Sequence, residues 1–129
     1  MTTFYCPKCW GEMKENVDTC PHCGADIRRI WSTLSYEDKL IHALNHPEPT
    51  TVMRAAWLLG EKKVERAAPA LISLIKRTKD LYIILEATRA LGKIGTPPCR
   101  EALKALTRHP VQMIAREAQD ILRHLPPGT

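Results

Sequence analysis

The sequence is short of aromatic residues and has no long apolar run. Aromatic residues make up 5% of its 129 residues, as expected for a stack of helices rich in Ala and Leu. No stretch approaches the roughly 18 apolar residues that a membrane-spanning helix needs. The segment from Met1 to Tyr5 is short and uncharged, unlike a secretory signal peptide. We therefore expect a cytoplasmic protein with no membrane-spanning segment.

The sequence also lacks a recognisable catalytic arrangement. Its five histidines lie at positions 22, 42, 46, 109 and 124. No Cys, Ser or carboxylate is arranged around them as a nucleophile with its base. His46 and His109 each precede a proline at a break between helices, a placement that favours hydrogen bonding at helix ends. The sequence therefore predicts a protein that is not an enzyme, with no catalytic residues and no small-molecule substrate.

Two matched cysteine pairs are the most informative feature that is present. They form the motifs Cys6-Pro7-Lys8-Cys9 and Cys20-Pro21-His22-Cys23, separated by ten residues. Each Cys-x-x-Cys turn can place two thiolates about 2.3 Å from one ion. Four thiolates close a tetrahedral shell and leave no position for water, so the predicted zinc ion is structural. Its ligands would be Cys6, Cys9, Cys20 and Cys23, and iron is an alternative to zinc that the pattern does not distinguish.

Disulfides and thiol redox chemistry are the other uses of such cysteines. Disulfides belong to oxidising compartments, and a thioredoxin-like site needs an alternating strand and helix pattern that this sequence lacks. From Cys6 to Gly24 the sequence resembles the short zinc ribbon family, in which a minimal β-hairpin joins two knuckles. The resemblance implies a small module that docks on protein or nucleic acid. Because residues 1–24 are too few to bury a core, we expect metal binding to keep them folded.

An internal repeat with a period of 31 to 32 residues follows the ribbon. Aligned positions in its three units are Ala55, Leu59 and Gly60, then Ala87, Leu91 and Gly92, then Ala118, Leu122 and Arg123. Short breaks, two of them containing proline, divide each unit into two helical segments. Ser35 is placed to cap the first helix, and no strand-like alternation follows. The sequence predicts an all-α fold of three helical hairpins.

The repeat units resemble HEAT-like repeats of the phycobilisome-lyase type. Leu59-Gly60 is followed nine residues after the glycine by Pro69-Ala70-Leu71, and Leu91-Gly92 leads to Ala102-Leu103 with equal spacing. The resemblance implies an α-solenoid that presents a surface to another protein, and it does not imply lyase activity. Its glycines permit left-handed helix caps, which we expect at Gly60, Gly92 and Gly95.

We predict three segments: a zinc ribbon at 1–24, a connecting segment at 25–35 that caps the stack, and a repeat domain at 36–129. The repeat units lie at about 36–62, 63–94 and 95–125. The connecting segment places Ile27, Ile30, Trp31 and Leu34 on one apolar helical face. We expect this face to cover the open edge of the first unit, and a partner-binding helix is the alternative.

The repeat domain carries the net charge of +5, with fifteen basic and ten acidic side chains in residues 36–129. Trp57 occupies a helical position that holds Arg89 and Asp120 in the other units, which predicts an exposed tryptophan and hence a binding hot spot. We expect an adaptor that binds a protein partner through Met53, Trp57, Glu86, Arg89 and Asp120. One alternative is a nucleic-acid- or ribosome-associated factor that uses the ribbon and the basic helices. Another is an auxiliary subunit of an enzyme.

Overall fold

The computed structural model describes residues 4–125. A two-stranded ribbon, β1 (Phe4–Tyr5) and β2 (Glu12–Met13), precedes the helices. The helices are α1 (Ile27–Thr33), α2 (Tyr36–Ala43), α3 (Pro49–Glu61), α4 (Ala68–Arg77), α5 (Leu81–Ile94), α6 (Pro97–Leu106) and α7 (Gln112–His124). One turn of 3-10 helix, Glu65–Ala67, leads into α4. The predicted all-α solenoid with a small ribbon before it is confirmed.

Helices α2 to α7 form three successive pairs, α2 with α3, α4 with α5 and α6 with α7. Helix α5 is central, because it contacts α3, α4, α6 and α7. Fully buried side chains recur along the stack at Leu59, Leu71, Leu91, Leu103 and Ile114. The apolar core is therefore continuous through all three pairs. Within residues 4–125, none of the helices has both the length and the apolar character required to cross a membrane.

Helix boundaries follow local capping signals. The Ser35 side chain accepts a hydrogen bond from the Asp38 amide and caps α2, as the sequence predicts. Asp80 caps α5 in the same way by accepting from the first amides of that helix. Pro49 and Pro97 lie in the first turns of α3 and α6. Backbone N–H groups there have no partner within the helix, so the absence of an N–H on proline costs no hydrogen bond.

The glycines divide into two structural roles. Gly95 caps α5 with a φ of 67°, so its predicted left-handed conformation is confirmed. The same prediction is wrong for Gly60 and Gly92, which lie inside α3 and α5. A Cβ at Gly60 would lie 2.9 Å from the Cα of Ala90, and one at Gly92 would lie 2.5 Å from Cγ2 of Ile121. These two glycines are required because helices of successive units approach closely there.

The ribbon has a small core of its own. In the antiparallel pairing of β1 and β2, Phe4 lies opposite Met13 and Tyr5 opposite Glu12. Its buried members are Cys6, Met13, Cys20, Ala25 and Ile27, and the last of these begins α1. Ile30 and Trp31 of α1 pack against the same cluster. Helix α1 thus shares a core with the ribbon, while the segment boundaries at 24 and 35 stay predictions.

Candidate functional site

The four cysteines of the paired motifs converge in the ribbon. The sulfurs of Cys6 and Cys23 are 3.6 Å apart, and those of Cys9 and Cys20 are 3.7 Å apart. All four sulfurs lie within 4.8 Å of one another. Four sulfurs at about 2.3 Å from one ion form a tetrahedron with edges of about 3.8 Å. The four cysteines therefore fit a single tetrahedral metal ion.

Backbone amides point at the sulfurs of the two knuckles. The donor–sulfur distances are 3.4 Å for Lys8 to Cys6, 3.5 Å for Cys9 to Cys6, 3.3 Å for Gly11 to Cys9, 3.3 Å for His22 to Cys20 and 3.5 Å for Cys23 to Cys20. Burial raises the pKa of the Cys20 thiol, but hydrogen bonds from the Cys23 and His22 amides and from the Cys23 and Cys6 thiols outweigh it and lower that pKa to about 6. The Gly11 amide lowers the pKa of the Cys9 thiol, but burial and hydrogen bonds with the other three thiols outweigh it and raise that pKa to about 12. The amide hydrogen bonds thus favour the thiolate at Cys20, the form that binds a metal ion.

The two knuckles have the same backbone hydrogen bonds. Cys6 accepts from the Trp10 amide at 2.8 Å and donates to the Gly11 carbonyl at 3.1 Å. Cys20 makes the matching bonds, accepting from Gly24 at 3.0 Å and donating to Ala25 at 2.9 Å. The sulfurs are too far apart for disulfide bonds, whose S–S length is about 2.05 Å. Both halves of the motif thus present their thiols in one geometry.

The residues predicted to bind a partner lie on the second helices of the three pairs. Met53 and Trp57 are on α3, Glu86 and Arg89 on α5, and Asp120 on α7. Trp57 is 48% exposed, which is unusual for so large an apolar side chain. Met53 is partly buried and packs against the core of the stack. Nothing in the fold tests whether these residues contact a partner, so their role stays a prediction.

Charged side chains on these helices are paired with one another. Arg89 lies 3.3 Å from Glu86 on its own helix and 3.1 Å from Glu117 on α7. Burial lowers the pKa of Arg89, but its hydrogen bonds and charge interactions with Glu117 and Glu86 together outweigh that effect and raise the pKa. Asp120 lies 4.0 Å from the His124 ring. The arginine therefore joins two units through paired charges.

Three further residues belong to this surface and were missed by sequence reasoning. The Lys93 ammonium forms an ion pair with Glu61 of α3. It also lies 5.5 Å from the centroid of the Trp57 ring, at cation–π distance. Glu117 is the third. The repeat register carried a signal for them, because positions 61 and 93 are aligned, as are 86 and 117. The second-helix face, as used below, comprises Met53, Trp57, Glu61, Glu86, Arg89, Lys93, Glu117 and Asp120.

The histidines that precede proline serve helix starts, as the sequence predicts. His46 accepts a hydrogen bond from the Glu48 amide at 3.0 Å, and His109 accepts one from the Val111 amide at 3.0 Å. His22, in the second knuckle, is exposed and its Nε2 lies 3.0 Å from the Glu12 carbonyl oxygen. Among residues 4–125, the four cysteines are the one group of three or more His, Cys, Asp or Glu side chains placed to share a metal ion.

Comparisons with known proteins agree with the repeat architecture. A family model described as HEAT repeats matches residues 37–123. Deoxyhypusine hydroxylases of Bos taurus, Rattus norvegicus and Homo sapiens are 35% identical to the chain over 71 residues, 54% of its length. The match covers 23% of the bovine protein and 24% of the other two, so the chain spans about a quarter of these relatives. No solved structure matches.

These findings correct one expectation and leave two open. The prediction that the protein is not an enzyme is contradicted, because the curated relatives are named for an enzyme. The missing nucleophile and base pattern excludes only one kind of catalysis, so it did not justify the prediction that the protein is not an enzyme. The family match concerns HEAT repeats in general. The phycobilisome-lyase type of the repeats and the zinc ribbon family of residues 6–24 therefore stay predictions.

Proposed function

The chain belongs to the HEAT repeat family, and we propose on that premise that it is a metal-binding helical scaffold that holds a protein partner on its second-helix face. The observation that carries this proposal is the exposure of Trp57. A half-exposed tryptophan beside a paired lysine offers a large contact area at low conformational cost. HEAT repeats stack into extended surfaces suited to such contacts.

Paired charges around Trp57 support a protein partner over a phosphate backbone. Arg89 already contacts Glu86 and Glu117, and Lys93 already contacts Glu61. Nucleic-acid binding depends on cations that are free to displace counterions from phosphates. The second-helix face therefore favours an apolar contact surrounded by polar groups, which is the usual pattern of a protein interface.

The metal is proposed to be one structural zinc ion. A tetrathiolate set prefers zinc, or iron in the same geometry, and leaves no coordination position for substrate. Thiolates stay available as ligands in a reducing compartment, which is consistent with a cytoplasmic protein. Elemental analysis of the purified protein tests the metal, and the expected result is one zinc per chain. One iron per chain would contradict the assignment of zinc but would still support a metal site at the four cysteines.

Partner capture from native cells tests the binding face. We expect Trp57→Ala and Arg89→Ala to reduce capture of the partner at least about tenfold, the loss typical of a hot-spot residue. Tyr36→Ala is a matched control, because Tyr36 is also an exposed ring, with Lys62 at 5.1 Å from its centroid. Tyr36 lies outside the second-helix face, so this control variant should capture the partner as the wild-type protein does. Undiminished capture by both face variants would contradict the proposal.

Salt dependence separates the proposed function from the nucleic-acid alternative. Affinity for the captured partner should change little between low and high salt if the contact is mainly apolar. A phosphate-binding protein loses affinity steeply and linearly on a logarithmic salt scale. A steep slope would favour a nucleic-acid- or ribosome-associated factor instead.

Similarity to an enzyme supports a second candidate function, a role in deoxyhypusine hydroxylation. Its basis is the 35% identity over 71 residues to proteins of that name. Incubating the purified protein with a deoxyhypusine-containing substrate, dioxygen and a two-electron reductant, with and without its bound metal, tests the candidate by mass spectrometry. Gain of one oxygen atom in the presence of the protein would support it. An unchanged substrate would leave the scaffold function as the proposal.

A further inference from the structure

Trp10 has a left-handed backbone conformation. The equivalent position of the second knuckle has the same conformation but is occupied by a glycine. Trp10 follows Cys9 as Gly24 follows Cys23, and both residues donate the hydrogen bond that closes their knuckle. Their φ angles are 61° and 77°, both in the left-handed region. Non-glycine residues are rare there because the side chain crowds the backbone. A tryptophan at this position is therefore disfavoured locally, and its ring must serve something outside the knuckle.

The Trp10 ring packs against two histidines of the helical stack. It stacks on His42, near the end of α2, with centroids 5.0 Å apart and an angle of 28° between planes. It meets His46, in the link to α3, edge-on at 5.2 Å. Both are favourable aromatic geometries. Trp10 thus connects the first knuckle to the first pair of helices through its ring contacts.

Neighbouring contacts fix the same junction. Tyr5 of β1 meets the His46 ring edge-on at 4.6 Å, and its hydroxyl donates to Oε1 of Glu48 at 3.1 Å. Nε2 of His42 hydrogen-bonds to the carbonyl oxygen of Pro7, a buried residue between the two cysteines of the first knuckle. The first knuckle is therefore seated on the end of α2 and on the link that precedes α3.

We propose that Trp10 couples metal binding in the ribbon to the stability of the first helical pair, α2 and α3. Two of the five buried residues of the ribbon core are the cysteines Cys6 and Cys20, so the ribbon has little to keep it folded without the ion. When it unfolds, Trp10 leaves His42 and His46 uncovered. The metal then acts on the helices as a ligand of the native state, although it touches none of them.

This inference rests on the proposed metal site and is independent of partner binding. Trp10→Gly is the decisive variant, because glycine accepts the φ angle already used at Gly24 while the ring contacts are lost. The variant should bind one metal ion as the wild-type protein does, measured with Co²⁺ by its thiolate absorption bands. Hydrogen exchange of the α2 and α3 amides is then compared with and without chelator.

In the wild-type protein we expect metal removal to speed exchange of the α2 and α3 amides about tenfold, as the loss of one or two aromatic contacts predicts. In Trp10→Gly these amides should exchange fast in both states, so metal removal changes them little. The variant His42→Ala, which leaves intact both the knuckle sequence and the hydrogen bond from the Glu48 amide to His46, should lose part of the metal dependence. Tyr36→Ala, an exposed ring on α2, should keep the metal dependence.

The outcomes separate the inference from the proposal on which it rests. If the wild-type protein binds no metal, the metal site and the coupling are both wrong. If it binds metal but the exchange rates of the α2 and α3 amides do not change when the metal is removed, only the coupling is wrong. Equal metal dependence in Trp10→Gly and the wild-type protein would assign the coupling to other contacts and overturn the role of Trp10.

Discussion

The ribbon and the helical stack differ in what keeps them folded. The ribbon core has five buried residues, of which Cys6 and Cys20 are candidate metal ligands. The stack core has 22 buried residues running through all three helical pairs. Burial of apolar area contributes about 25 cal/mol per Å² and therefore favours the larger core. We therefore expect the stability of the ribbon to depend on a metal ion and that of the stack to depend on its own side chains.

Metal removal should show the difference between the ribbon and the stack most clearly. Chelation is expected to unfold the ribbon, since metal binding contributes about 10–16 kcal/mol to the folding of small zinc modules. Helical circular dichroism should persist, and Cys20→Ser should reproduce the loss in the presence of zinc. Cys99→Ser, at a buried cysteine of the stack, is the control and should retain one metal ion. A ribbon that keeps its NMR shifts without metal would contradict the comparison.

Truncation in the stack should have the next largest effect and should leave the metal in place. Leu91→Ala removes a fully buried side chain of the central helix and is expected to lower the free energy of unfolding by about 2–5 kcal/mol. Leu122→Ala is the matched control, because it occupies the aligned position in the last unit and is only partly buried. Thermal unfolding measures both. Equal losses at the two positions would argue against a core centred on α5.

Adding a methyl group at the close helix contacts gives a smaller effect that differs between two glycines. Gly60→Ala should destabilise by about 1–2 kcal/mol, because overpacking against the Ala90 backbone exceeds the gain in helix propensity. Gly92→Ala should destabilise less, since the added Cβ would meet the partly buried side chain of Ile121 rather than backbone, and a side chain can shift further. Chemical denaturation of the two variants checks this order. A larger loss at Gly92 would mean that Ile121 is held rigidly.

The smallest effect is expected at the ion pair that links the second and third units. Arg89 is 46% exposed and Glu117 30% exposed, so solvent screens their attraction. A double-mutant cycle with Arg89→Ala and Glu117→Ala should give a coupling free energy of about 0.2–1 kcal/mol. It should shrink at high salt. A coupling above about 2 kcal/mol would show that charge as well as apolar burial holds the stack together.

Much of the fold could be predicted from sequence because its signals are local. Ser35 caps α2 as expected, and the breaks around His46 and His109 fall between helices. The cysteine spacing identified a group of thiols that does converge. Each of these depends on a few consecutive residues or on a repeated period, so no knowledge of tertiary packing was needed.

The parts that sequence reasoning missed depend on contacts between distant residues. Gly60 and Gly92 read as caps, because Leu-Gly often ends a helix, yet their role is set by neighbours about 30 residues away in the sequence. The docking of Trp10 on His42 and His46 joins segments that share no motif. The pairing of Lys93 with Glu61 also needed the alignment of successive units. Such contacts become visible only once the units are stacked.

The candidate metal site has one buried and one exposed cysteine in each knuckle. Cys6 and Cys20 are buried, whereas Cys9 and Cys23 are exposed. An oxidant or a competing chelator arriving from solvent therefore meets Cys9 and Cys23 first. Because these two belong to different knuckles, modification of either one would leave three candidate ligands, with at least one from each knuckle. Oxidation or ligand exchange would then begin on the solvent-facing side of the site, one thiol at a time.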